Sequence, residues 1–129
     1  MAERVVERTL SDGGLSIHYR LERLGGDLLL TVTGGAAHVG CVVLATHRQS
    51  LTGSGADSAD SSVLNRSGHK DEFLLRALAE RLSAVAGCAV AAVGGVHYDS
   101  LDQQGLRSAA HIEQQALAQA EDWAAELLP

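Results

Sequence analysis

Residues 15–22 read Leu-Ser-Ile-His-Tyr-Arg-Leu-Glu, with Leu15, Ile17, Tyr19 and Leu21 alternating against Ser16, His18, Arg20 and Glu22. A period of two sends one set of side chains to a buried face and the other to water, which is the pattern of a strand in a half-covered sheet. His18 falls on the wet side and reads as a surface histidine. Before this stretch, Ser11-Asp12-Gly13-Gly14 is a turn signal and residues 5–10 are apolar with interleaved charge, so the first two strands form a hairpin. After it, Gly25-Gly26-Asp27 turns the chain into a third strand at residues 28–33. Gly34-Gly35-Ala36-Ala37-His38 interrupts the apolar run, and residues 39–46 resume it as a fourth strand.

Residues 49–62 are rich in Ser, Gly and Asp and read as a flexible loop with too little apolar content to order itself. A short fifth strand at residues 62–66 is optional. Leu74, Leu75, Leu78, Leu82 and Val85 then recur at helical spacing, with Phe73 and Ala77 widening the stripe. This helix is expected to begin at Ser67 or Gly68 and to stop at Gly87. Residues 88–93 form a buried strand closed by Gly94-Gly95-Val96-His97. Ser100 or Asp102 caps a last helix, which Gly105 divides into a short turn and a longer run at residues 109–128. Strands come as a block before helices. The expected fold is therefore α+β, a mostly antiparallel sheet with two helices packed on it, in the order ββββ(β)αβα.

With 129 residues the chain makes one domain, residues 1–129, with a modest core. Only 3% of residues are aromatic, so Leu, Val and Ala fill the interior and a base-stacking surface is not expected. A formal charge of −6 disfavours nucleic acid, which is bound by neutralising phosphates. No apolar run approaches the ~20 residues that span a bilayer. The charged start Met-Ala-Glu-Arg-Val-Val-Glu-Arg has no signal-peptide apolar region, and the expected location is cytoplasmic. Cys41 and Cys88 lie in apolar runs and read as small core residues. His38 and Cys41 are spaced by three, which on a strand points them to opposite faces.

Chemistry concentrates at three histidines. His38 and His97 each follow a glycine pair at a strand end, and His69 opens a helix in Arg66-Ser-Gly-His-Lys-Asp-Glu72. Such ends can converge on one rim of a sheet, where glycine lets a ligand approach the backbone closely. The positive end of a helix favours the neutral form of His69 and, with Lys70, suits an anion. Asp71 and Asp99 are candidate acceptors that orient the neighbouring histidines, or equally an ordinary helix-start acid and a turn residue. No His-x-x-x-His spacing marks a metal site. No serine sits in a nucleophile elbow, so no catalytic residue is assigned and the expected role is binding rather than turnover.

Residues 28–40, Leu-Leu-Leu-Thr-Val-Thr-Gly-Gly-Ala-Ala-His-Val-Gly, resemble a segment of the LpdD-like family, small subunits encoded with gallate-type, UbiD-related decarboxylases. Ser67-Gly-His-Lys-Asp71 and Gly94-Gly-Val-His-Tyr-Asp99 resemble two further segments of that family, in the same order and spacing, and the likeness extends over residues 15 to 127. The sequence departs from it at Ala36-Ala37 and in the long loop after Arg48, and Cys41 is not part of the pattern. The resemblance implies a fold similar to small proteasome-assembly chaperones and a dimeric, metal-binding protein. It implies a chaperone that holds prenylated flavin mononucleotide for a UbiD-type decarboxylase, with a flavin prenyltransferase as a further partner. It also implies that His38, His69 and His97 ligate a divalent metal or the cofactor, that Gly68 and Lys70 face the phosphate, and that Gly34, Gly35 and Gly40 shape the backbone around the ligand. The alternatives are a protein–protein assembly chaperone or accessory subunit with no small ligand, and a metal-dependent enzyme.

Overall fold

The computed structural model describes residues 4–66 and 71–128. The chain runs β1 (Val5–Asp12), β2 (Leu15–Leu24), β3 (Asp27–Gly35), β4 (Cys41–Gln49), β5 (Asp57–Asn65), α1 (Glu72–Ala86), β6 (Val90–His97) and α2 (Gln103–Leu127). These strands form one six-stranded sheet in the order β1-β2-β3-β6-β4-β5. All neighbouring strands are antiparallel except β3 and β6. The α+β class and the element order follow the sequence pattern.

β1 and β2 are joined by Gly13-Gly14, both at positive φ (56° and 83°), the tight hairpin turn that glycine allows. Leu15, Ile17, Tyr19 and Leu21 are buried, as their alternation requires, and His18 faces the other way, beside Thr9. Both helices cover this buried face, α1 over β4, β5 and β6 and α2 over β1 and β2. α1 contributes Leu74, Leu75, Leu78 and Leu82, each fully buried leucine being worth roughly 1.5–3 kcal/mol. Trp123 of α2 packs on Tyr19 with ring centres 5.4 Å apart. Cys41 is buried and Cys88 half-buried, and both are free thiols whose pKa burial raises.

Three local expectations change, and a fourth falls outside the described residues. β5 takes in residues 57–61 of the stretch read as loop, leaving residues 50–56 as the connection. β5 is an edge strand and mostly exposed, so its polar composition hid a backbone ladder to β4. Arg48 donates to Asp60 (2.8 Å) and Arg76 to Ser61 (2.9 Å), fastening it from both sides. Next, α1 begins at Glu72, and the expected starts at Ser67 and Gly68 lie outside the described residues. Phe73 and Ala77 are exposed rather than part of the core stripe. Last, Gly105 does not divide α2: it lies in the first turn, where its N–H donates to the Asp102 cap (2.8 Å) and the Leu101 side chain closes over it.

Among the described residues, no helix covers the other face of the sheet. The register sets Ala91 between Leu29 and Leu44, and Val42 between Val93 and Leu64, an apolar band across β3, β6, β4 and β5. Leu44 is 50% and Leu64 76% exposed.

Candidate functional site

The segment between β3 and β4 crosses the end of β6. Ala36 N–H donates to the His97 carbonyl and Gly40 N–H to the Gly94 carbonyl, both at 2.9 Å. These two bonds fix the short excursion that carries His38 over β6. The His38 ring lies against Gly95, where an added Cβ would stand 2.5 Å from Nε2. Nδ1 of the ring lies 3.0 Å from the Ala36 carbonyl and Nε2 lies 3.1 Å from Oδ2 of Asp71. The other carboxylate oxygen of Asp71 accepts from Val96 N–H at 2.9 Å. Asp71 thus ties the start of α1 to the end of β6 and to His38. It occupies the N-cap position of α1 yet makes no side-chain cap bond. Gly40 is the second glycine this arrangement needs, since a Cβ there would fall 1.9 Å from Asp71 Oδ2.

His38, Asp71 and His97 line one cavity of about 480 Å³, within the size range of small-molecule sites. Leu15, Ile17, Leu74, Val96, Leu101 and Ala109 make its apolar wall, with Tyr98 and Glu113 as further polar groups. Tyr98 is clamped to the start of β2: its hydroxyl donates to the Ser16 carbonyl and accepts from Ser16 N–H. Phe73 lines the cavity while remaining 75% exposed, so its ring is open to a ligand. Glu113 reaches the cavity from α2, and burial pushes its carboxyl pKa up.

The residues singled out in the sequence are placed as follows. His38 and His97 meet on the cavity. His97 is more open than His38 and pairs with Asp99 at 2.9 Å. Gly34 and Gly35 close β3, where they pack against the backbones of Ser16 and His97 respectively. Gly40 accommodates the protein's own Asp71 carboxylate. Gly68, His69 and Lys70 lie outside the described residues. Among the described residues no three His, Cys, Asp or Glu side chains converge as a metal-binding group. His38 nevertheless stands between two acceptors, a carbonyl and a carboxylate, whereas a neutral imidazole has one N–H to give. The Nε2–Oδ2 pair is a nitrogen and an oxygen donor side by side, a set that suits a divalent cation.

Sequence reasoning missed Glu113 and Tyr98, and it took Phe73 for a core residue. Only the fold brings α2 and the β6–α2 connection to this cavity, so no local pattern marked them.

Among the described residues, no helix is long and apolar enough to cross a membrane. No curated protein matches the chain. Among solved structures, the chain is similar to one described as a novel chaperone complex for yeast 20S proteasome assembly. The identity is 13%, 95% of this chain and 99% of that chain are covered, and the TM-score is 0.51. That likeness concerns the fold. The model of a family described as the prenylated flavin chaperone LpdD-like domain matches residues 11–125, and this chain belongs to that family.

Proposed function

We propose that the protein holds prenylated flavin mononucleotide in the cavity between its two helices and the sheet, and delivers it to a UbiD-type decarboxylase. The observation that carries this reading is the cavity itself, about 480 Å³ with apolar walls and polar groups grouped around His38–Asp71, His97 and Glu113. A reduced flavin needs exclusion of oxygen and water, an apolar wall and a few fixed polar contacts. The exposed ring of Phe73 offers a stacking surface at the cavity. His38, Gly40 and His97 belong to this site, with Gly34 and Gly35 shaping the strand end beneath it and Gly68 and Lys70 facing the phosphate. No residue has a catalytic role, and the protein acts as an accessory, not an enzyme.

A divalent ion held by His38, His69 and His97 is part of the proposal. The paired Nε2 and Oδ2 atoms of His38 and Asp71 support it. When bound, such an ion would neutralise negative charge on the ligand. Elemental analysis of freshly purified protein should give about one divalent ion per chain, lowered in His38→Ala. Absence of metal with and without added ions contradicts this part alone.

The proposed assembly is a cytoplasmic homodimer that meets the decarboxylase and, upstream, a flavin prenyltransferase. The uncovered apolar band of the sheet supports pairing with a second copy, because such a patch is costly to leave in water. That band also favours a second reading, a protein-assembly chaperone with no small ligand, but such a role gives the cavity nothing to do. Delivery is tested by loading the protein anaerobically, mixing it with apo-decarboxylase and following decarboxylation. Activity that appears faster than with free cofactor supports delivery, and equal rates contradict it.

A further inference from the structure

Two carboxylates line the cavity, and they are differently placed. Asp71, on the α1 side, is committed to His38 and Val96. Glu113, on the α2 side, stands one helical turn beyond Ala109 and shares the wall with Leu15 and Ile17 of β2. Desolvation alone raises its pKa, and among the described residues no hydrogen bond or ion pair engages it. The nearby Tyr19 hydroxyl, whose pKa burial and the Glu113 charge both raise, is buried without a hydrogen-bond partner among the described residues. A cavity-lining carboxyl in an apolar wall, with no partner among the described residues, costs stability, and a group so placed is a candidate ligand contact.

We propose that Glu113 is the specificity contact of the cavity, binding the imide edge of the flavin ring, N3–H with the adjacent C4 carbonyl. This inference rests on the flavin-holding reading. A neutral carboxyl presents an O–H donor and a C=O acceptor side by side, which match the C=O and N–H of an imide in two parallel hydrogen bonds. Ionised, it still accepts from N3–H. Either form disfavours a phosphate on the α2 side, by repulsion when charged and by the lack of a cation when neutral. The ring edge therefore points to α2.

The test uses the full chain, with flavin mononucleotide and its N3-methyl analogue as probes in equilibrium titrations. Methylation removes the donor and blocks the edge. Wild-type protein should bind flavin mononucleotide about tenfold tighter than the analogue, the loss expected for one buried hydrogen bond and its unsatisfied partner. Glu113→Ala should bind the two alike. Glu113→Gln, whose amide also offers a donor beside an acceptor, should keep most of the preference. Equal binding of the two flavins by wild type, or an undiminished preference in folded Glu113→Ala, overturns the assignment. Binding of neither flavin by wild type overturns this inference, as does equal binding of both, whereas the holding reading falls only if protein co-expressed with a flavin prenyltransferase also emerges without prenylated flavin.

Discussion

Nε2 of His38 lies 3.1 Å from Oδ2 of Asp71, and Asp71 reaches it by leaving unfilled the cap of the helix it opens. An Asp at an N-cap ordinarily accepts from the first turn of its own helix, worth about 1 kcal/mol. Here the carboxylate instead spans from the β3–β4 segment to Val96 N–H at the end of β6. The exchange gives up local helix stability for a fixed ring orientation at the cavity.

Asp71→Ala should therefore lower stability by about 1–3 kcal/mol, because Val96 N–H loses its acceptor in a half-buried setting and His38 loses its support. Denaturant unfolding with an unchanged m-value checks this. Asp71→Asn, which keeps an oxygen for Val96 N–H, should recover most of the stability but not flavin retention.

Gly40 and Gly95 are the steric counterparts of that pair. Gly40→Ala would place a methyl 1.9 Å from Asp71 Oδ2, and Gly95→Ala one 2.5 Å from His38 Nε2. Each should cost about 1–3 kcal/mol by overpacking and displace the polar group above it. Far-ultraviolet circular dichroism should remain native while flavin retention is lost; retention at the wild-type level contradicts the placement of these groups.

Much of this was legible beforehand and some was not. Leu15, Ile17, Tyr19 and Leu21 announced β2 because one face of the sheet is covered and the other wet, so burial followed chain period directly. β5 was not legible along its whole length: an edge strand is held by its ladder to β4, and Asp57, Ser58, Ser61 and Ser62 carry no burial signal. His38 and His97 stood out through the glycine pairs that precede them, and they do share a cavity. Glu113 had no such mark, since a Glu on an amphipathic helix looks like any solvated one until the topology sets it against β2. Phe73 was misplaced for the converse reason: an aromatic at the edge of an apolar stripe suits the core, yet here it lines an open site.

Glu113→Gln should raise the melting temperature at neutral pH. The raised pKa means the folded state binds this proton more tightly than the unfolded chain, so the group's contribution falls as pH rises above its ordinary 4.5. The gain from Gln should shrink as pH is lowered toward that value, where both states are protonated. Scanning calorimetry from pH 4 to 8, with buffers in that range chosen for ~constant ionic strength, reads the trend, and a pH-independent difference contradicts it.

The open sheet face gives a prediction of its own. If the proposed dimer forms through this face, Leu44→Asp, at a position 50% exposed in the single chain, should give a monomer by light scattering without lowering the stability of the fold by more than about 0.5 kcal/mol. An unchanged dimer removes this face from the interface.

The measurement that tests the central claim most directly is the flavin content of protein co-expressed with a flavin prenyltransferase and purified without oxygen. The account predicts about one prenylated flavin per chain for the wild type, as a ligand retained through purification requires tight binding, and a colourless protein for Asp71→Ala that is otherwise folded. A wild-type protein that emerges colourless, with no flavin released on denaturation, contradicts it.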